Sequence, residues 1–186
     1  MIPLHNRLSP AEVDGIGLIL LVSAEEIIDQ FSLEPHPEGG WFRRTYESKE
    51  VLESPHGFRP AGTSVLYMLK RGEVSRLHRL DADETWYFHQ GAPLLLHMFS
   101  KNDYHSVQLG DISSHSGSLA QYTIPAETIF GVTPCKHSNM PFSLVSCSVC
   151  PGYIDAGFSW PDPSVLRARF EKYSDLIEKL APSVES

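Results

Sequence analysis

The amino-acid sequence predicts a mainly β fold, an antiparallel barrel or a double-sheet jelly roll, with α-helices flanking it at the N- and C-terminal ends. Between residues 36 and 158, short apolar runs rich in β-branched and aromatic residues alternate with turn residues. No pattern of helix length interrupts this region, which argues against an alternating β–α fold. The 186 residues fit one domain, with a barrel core over about 36–158 and helical flanks at 9–34 and 164–180.

Eight segments have the composition of strands, and residues typical of turns separate them. They cover residues 41–46, 63–69, 84–89, 94–99, 106–109, 121–124, 128–132 and 142–149. Short strands at such spacing are typical of an antiparallel barrel or a jelly roll.

The N-terminal flank carries helix signals. Residues 23–26 read SAEE, a capping box in which Ser23 accepts from the backbone three residues on and Glu26 reaches back. We expect this helix to end at Pro35, because proline cannot continue a helix. An earlier helix is predicted to begin at Ser9 and Pro10, since proline suits the first helical turn.

The C-terminal flank is predicted to be one amphipathic helix over residues 164–180. Two prolines precede it, and its apolar residues recur at helical spacing. These residues are Val165, Leu166, Phe170, Tyr173, Ile177 and Leu180.

Composition and charge exclude several classes of function. With 15 basic against 23 acidic residues, the net charge is −8, which argues against a general nucleic-acid or anionic-membrane binder. The longest apolar run, residues 16–22, is far shorter than the roughly 20 residues that span a bilayer. We therefore expect a cytoplasmic protein that binds neither nucleic acid nor membranes.

Cysteine usage gives little sign of a disulfide framework or a metal site. The chain has three cysteines, two of which form the CxxC pair Cys147 and Cys150. On a strand, residues three apart point to opposite faces, so these thiols are not expected to share a metal or close a disulfide. A reducing compartment is the simpler interpretation.

Residues 72–91 contain the most informative motif. Gly72, His78, Glu84 and Gly91 stand at the spacing of the first signature of the cupin superfamily, which this segment resembles, and Leu80 occupies the position of its second His. Within cupins, the chain is similar to the DUF985 or cupin 5 family, and the likeness spans roughly residues 27–158. The segments that carry it are PHPEGGWFR at 35–43, TSVLYML at 63–69, HRLD at 78–81, DETW at 83–86, IPA at 124–126 and VCPGY at 149–153.

The resemblance implies a double-stranded β-helix barrel, often dimeric, with a pocket inside one mouth. Many cupins hold a divalent metal in that pocket through three His and one Glu. In this sequence His78 and Glu84 match, whereas Leu80 and Phe130 stand at the other two His positions, and Glu127 replaces the Gly of the second signature. Because a stable site wants three or four converging N and O ligands, we expect no metal cofactor. A divalent metal held by His78 and Glu84 is the alternative.

Without a metal, His78 and Glu84 are the candidate catalytic residues. By the geometry that the resemblance implies, both face the barrel interior, where burial and pairing shift the pKa of each group toward neutrality. Some metal-free cupins that epimerise or isomerise sugars use such a base. Purely structural pairing of the two groups, or with a nearby Arg, is the alternative.

Five further residues are predicted to bind a ligand. Tyr67 and Trp86 lie on strands that should line the cavity, and Phe130 takes the place of a metal ligand there. Arg43 or its neighbour Arg44 points inward if residues 41–46 form a strand, and Arg43 and Arg76 are the predicted positive groups of the pocket.

These residues support three hypotheses. The first is a homodimeric cupin that binds an unidentified small polar or carbohydrate-like molecule and isomerises or epimerises it without a metal, with His78 as base and Glu84 orienting it or acting as acid. The second is a non-catalytic binding or sensing module that uses the same pocket. The third is a metal-dependent dioxygenase or lyase with a rearranged ligand set. One fold supports many chemistries, so the resemblance does not separate them.

Overall fold

A computed structural model describes residues 22–101, 103–113 and 117–182 of the chain. Its strands form a six-stranded sheet in the order β1-β2-β5-β12-β7-β10, a five-stranded sheet in the order β13-β6-β11-β8-β9, and a separate hairpin of β3 and β4. The strands are β1 (Glu34–Pro35), β2 (Trp41–Glu47), β3 (Val51–Ser54), β4 (Gly57–Pro60), β5 (Thr63–Lys70), β6 (Ser75–Leu80), β7 (Asp83–Gly91), β8 (Leu94–Ser100), β9 (Asp103–Leu109), β10 (Gln121–Ile124), β11 (Ile129–Pro134), β12 (Phe142–Cys150) and β13 (Phe158–Ser159).

The mainly β, antiparallel architecture predicted from the sequence is confirmed. All eight predicted strands are present, with ends that differ by no more than three residues. Residues from both large sheets share one apolar cluster, in which Trp86 and Val145 of the first sheet meet Met98 and Val132 of the second. The core therefore lies between two sheets, as in a jelly roll.

Strand β6 was missed by the sequence pattern although it carries His78. Its residues Leu77 and His78 are both buried, because the former packs under the C-terminal helices and the latter faces the barrel interior. A strand covered on both faces shows no alternation of polar and apolar residues, so the usual signal is lost. The hairpin of β3 and β4 and the two-residue strands β1 and β13 were also not predicted.

The N-terminal helix α1 (Ala24–Phe31) begins with the predicted capping box, in which Ser23 and Glu26 bond each other's backbone N–H groups. It ends earlier than predicted, because Ser32 adopts the left-handed conformation and Pro35 belongs to β1. Its apolar face packs against Met68 on the outer side of the six-stranded sheet. The earlier helix predicted from Ser9 lies outside the described residues.

The C-terminal flank is two helices rather than one. Helix α2 (Pro163–Arg169) is capped by Asp162, and α3 (Ser174–Leu180) follows a short 3₁₀ turn. The break falls at Phe170, whose φ of −125° and ψ of 53° leave the helical region. Both helices pack on the outer side of the five-stranded sheet, where the Phe170 ring meets the ring of Phe99. In the described part of the chain, no helix has the length and apolar character to cross a membrane.

Replacing Ile177 tests this packing. The side chain is fully buried between α3 and the sheet, so Ile177→Ala leaves a void and should lower the free energy of unfolding by about 2–5 kcal/mol. Val165→Ala on the exposed side of α2 is the matched control and should change it by about 0.5 kcal/mol or less. Urea denaturation measures both values, and equal effects of the two changes would contradict this packing.

Candidate functional site

A cavity of about 400 Å³ lies inside the β structure, between the two large sheets. On the six-stranded sheet its wall consists of paired rows of inward-facing residues. Glu84, Val149 and Thr63 form one row, and Trp86, Cys147 and Val65 form the next. Alternate residues of a strand share a face, which is why successive rows are two residues apart.

His78 enters the cavity from β6 on the opposite sheet, with only 2% of the residue exposed. Its Nδ1 lies 2.7 Å from the backbone carbonyl oxygen of Arg76. Because a carbonyl only accepts, Nδ1 must carry the hydrogen. Nε2 is therefore the nitrogen that gains or loses a proton, and it lies 4.0 Å from Oε2 of Glu84.

Glu38 completes the cluster, although no role was predicted for it from the sequence. Its Oε2 lies 3.4 Å from Nδ1 of His78 and within hydrogen-bond distance of the Ser75 hydroxyl. The one signal that pointed to this segment was its place in the family-like motif at residues 35–43. Lying in a turn, Glu38 follows no strand periodicity that would predict its direction.

The turn that carries Glu38 depends on two glycines. Gly39 and Gly40 both have positive φ, and a Cβ on Gly39 would meet the carbonyl oxygen of Val74. The Tyr67 hydroxyl donates to the Gly39 carbonyl at 2.6 Å, and the Arg76 N–H donates to the Glu38 carbonyl at 2.8 Å. These bonds fix the turn to both sheets and so fix the position of the Glu38 carboxyl group.

Burial and mutual charge shift the pKa of the groups in this cluster. Burial, strengthened by the nearby Glu84 carboxylate, raises the pKa of Glu38 to about 7. Burial would lower the pKa of His78, but the facing carboxylates of Glu38 and Glu84 outweigh it and raise that pKa to about 9. Burial and repulsion from His78 and Arg44 lower the pKa of His36 to about 4. At neutral pH, His78 is therefore charged and His36 is neutral.

Two buried polar atoms of the cavity wall have no hydrogen-bond partner in the described parts of the chain. They are Oε2 of Glu84 and Nε1 of Trp86, which occupy successive inward positions of β7. A buried polar group without a partner costs about 1–3 kcal/mol, so such groups in a cavity suit a bound molecule that supplies the partner.

Tyr67 and Trp86 line the cavity, and their rings meet edge to face at 5.6 Å. Phe130 does not line it. Its ring lies behind His78, with centroids 4.1 Å apart, within the core between the sheets. Phe130 therefore restricts the His78 ring and is corrected from a ligand contact to a packing neighbour.

The two predicted arginines lie outside the cavity, and Arg44 lines it instead. On β2 the alternation places Phe42 and Arg44 inward, so Arg43 points to the outer face, where its guanidinium donates to the carbonyl of Phe31 at 3.0 Å. On β6 a register shift between Ser75 and His78 interrupts the alternation at Arg76, whose guanidinium bonds the carbonyl of Pro37 in the Glu38 turn. Arg76 thus supports the turn through its guanidinium and the His78 ring through its own carbonyl oxygen.

The residues present do not fit the metal site of many cupins. Leu80 lines the cavity where a second His would stand, and Phe130 packs against the His78 ring where a third would stand. Among the described residues, no group of three or more His, Cys, Asp and Glu side chains has an arrangement that could hold a metal ion. Cys147 is buried in the cavity wall, whereas Cys150 is exposed, so the CxxC pair adds no ligand set.

The two antiparallel sheets, the interior cavity and the inward His and Glu define a cupin-type β-barrel protein. The family model for the cupin superfamily (DUF985) matches residues 25–160, and the chain belongs to that family. A hypothetical protein from Leishmania major is 31% identical with a TM-score of 0.78, over 86% of this chain and 99% of that one. A crystal structure of a protein from Shewanella oneidensis is 34% identical with a TM-score of 0.76, over 87% of this chain and 98% of that one. Among curated proteins, none matches this sequence.

The charge on His78 provides a direct test of the cluster. Since the Glu38 carboxylate helps to raise the pKa of His78 from 6.5 to about 9, Glu38→Gln should lower it by a unit or more. A raised pKa contributes stability that is present below pH 6.5 and lost as the pH rises through 9. The variant should therefore lose less unfolding free energy than the wild type over that interval.

NMR titration of the His78 ring nitrogens gives the pKa, and urea denaturation between pH 6 and 9.5 gives the stability. Glu53→Gln on the exposed hairpin is the control and should leave both unchanged. An unchanged His78 titration in Glu38→Gln would show that the two groups do not interact.

Proposed function

We propose that the protein binds a small polar, carbohydrate-like molecule in the barrel cavity and isomerises or epimerises it by proton transfer without a metal. The observation that carries the proposal is the buried cluster of Glu38, His78 and Glu84 in the cavity wall. Groups with shifted pKa values that gather in a cleft are typical of acid–base sites. The aromatic wall of Tyr67 and Trp86 suits a sugar-sized ring.

The pKa values support roles opposite to those expected from the sequence. A His78 with a pKa of about 9 is protonated at neutral pH, so it acts as the proton donor rather than the base. A carboxylate, Glu84 or ionised Glu38, then removes a proton from a carbon beside the substrate carbonyl. The Nε2–H of His78 donates its proton to the carbonyl oxygen, which gives an enol. The enol returns to the ketone or aldehyde when a carboxyl group of Glu38 or Glu84 delivers a proton to carbon, from the other face or at the neighbouring position, and an enol hydroxyl gives its proton back to Nε2.

Non-catalytic binding is the second candidate, and the burial of His78 favours it. Only 2% of His78 is exposed, and its Nδ1–H is held by the carbonyl of Arg76. Such a histidine can orient Glu84 for ligand binding without transferring a proton.

The metal-dependent alternative has little support, because the described donor set offers only His78 and Glu84 at the usual ligand positions. A cytoplasmic homodimer completes the proposal, and light scattering of the purified protein tests the dimer.

Isotope exchange distinguishes catalysis from binding. The protein is incubated in deuterated water with a panel of hexoses, pentoses and sugar acids, and ligand NMR records both binding and deuterium incorporation. We expect exchange at one carbon, lost by at least 100-fold in His78→Gln and in Glu84→Gln, because removing an acid or a base costs about that factor.

His105→Gln is the matched control, since His105 is exposed on β9, on the other sheet from Glu84. It should leave both binding and exchange unchanged. Binding without exchange would support the non-catalytic module. If His78→Gln and Glu84→Gln both leave affinity and exchange unchanged, the site lies elsewhere.

A further inference from the structure

The cavity wall is electrically asymmetric. The Glu38–His78–Glu84 cluster brings two carboxyl groups to the wall, whereas β2 contributes the guanidinium of Arg44. In the described lining of the cavity, Arg44 is the only Arg or Lys. The sequence left open which of Arg43 and Arg44 points inward, and the residue predicted to bind a ligand was Arg43.

Strand register fixes how far Arg44 stands from β7, the strand that carries Glu84. Arg44 pairs with Val65, Val65 with Cys147, and Cys147 with Trp86, so one row runs from Arg44 to β7. Three strand spacings separate the ends of this row, about 14 Å at the backbone. Side chains that reach inward from both ends leave room for one small molecule between them, within a cavity of about 400 Å³.

The Arg44 guanidinium is only weakly engaged. One of its N–H groups donates to Glu47 at 3.1 Å, but the two side chains are 36% and 60% exposed, so solvent screens the pair. The guanidinium also lies 5.8 Å from the centre of the Tyr153 ring, which holds it on the cavity side of β2. A guanidinium has five N–H groups, and the remaining ones can bind a carboxylate in the two-pronged manner that suits it.

Asp155 also lines the cavity, so its carboxylate could compete with an anionic ligand for Arg44. It interacts with the hydroxyl of Tyr153, whose pKa burial and this carboxylate raise. Asp155 is exposed, so its repulsion of an anionic ligand is screened by water. The two carboxyl groups of the Glu38–His78–Glu84 cluster do not suit an anionic ligand group. The unpartnered Oε2 of Glu84 instead needs a hydrogen-bond donor such as a hydroxyl.

We infer that the ligand is a hydroxylated carboxylate of sugar-acid type, with its carboxylate on Arg44 and a hydroxyl directed to Glu84. This inference rests on the proposed function and adds the charge and orientation of the ligand. Arg44 is a specificity residue in this arrangement, since it distinguishes an acid from the neutral sugar of the same shape.

Two matched pairs of probes test the inference, glucuronate against glucose and galacturonate against galactose, since each pair differs at one carbon. Affinities are measured by ligand NMR and calorimetry on the full chain. At least one uronate should bind ten times or more tightly than its parent hexose. Arg44→Gln should abolish this preference, lowering the affinity for the uronate by at least tenfold and leaving that for the hexose unchanged.

Arg43→Gln is the control, because it removes the same charge from the adjacent position of the same strand. The Arg43 side chain points outward. This variant should retain the preference, and Arg44→Lys should restore part of it. Thermal melts establish that each variant is folded. Equal binding of acid and hexose, or a preference that survives in Arg44→Gln, would overturn the inference while leaving the proposed function intact. Failure of every sugar and sugar acid to bind would overturn both.

Discussion

The inner faces of the two large sheets pack against each other, and this constraint organises the molecule. Helices cover parts of the outer faces, and other parts meet solvent. Along β5, Tyr67 therefore turns to the cavity and Met68 to α1. Along β6, His78 turns inward and Leu77 packs under α2 and α3. A shift of register by one residue would exchange the functional and the structural side chains of a strand.

The space between the sheets is filled unevenly, and the cavity is a consequence. At one part of the interior, Leu94, Leu96 and Val132 pack without exposure, whereas beside them Glu38, His78 and Glu84 replace apolar side chains. Charged groups at such depth lose hydration, and their mutual attraction offsets the cost together with the hydrogen bonds of His78 to the Arg76 carbonyl and of the Ser75 hydroxyl to Glu38. This is why the pKa of His78 rises although burial alone would lower it. Because burial and mutual charge shift these pKa values, the cluster gains and loses protons near neutral pH.

The sequence predicted the parts of this structure that periodicity or spacing records. The eight strands, the capping box at Ser23 and the shared face of Glu84 and Trp86 each follow from a local pattern, whereas the inward direction of that face came from the family resemblance. The sequence did not predict which residues of β2 point inward, because polar residues occupy both of its faces and Arg43 and Arg44 are chemically alike. Glu38 was missed for a different reason, since the positive φ values of Gly39 and Gly40 and contacts distant in sequence decide where its turn lies.

Two apolar substitutions at the usual ligand positions change the chemistry that the barrel can support. A metal-binding cupin concentrates positive charge at its centre, and its ligands must stay deprotonated to hold that charge. Here Leu80 and the packing of Phe130 on His78 leave no further imidazole at the usual ligand positions, and His36 beside Glu38 is neutral at neutral pH, so a protonated His78 supplies the positive charge of the cluster. The amount of that charge then depends on pH and on the ionisation of Glu38. The loss of ligands therefore turns the centre of the barrel from a fixed charge into a titratable one.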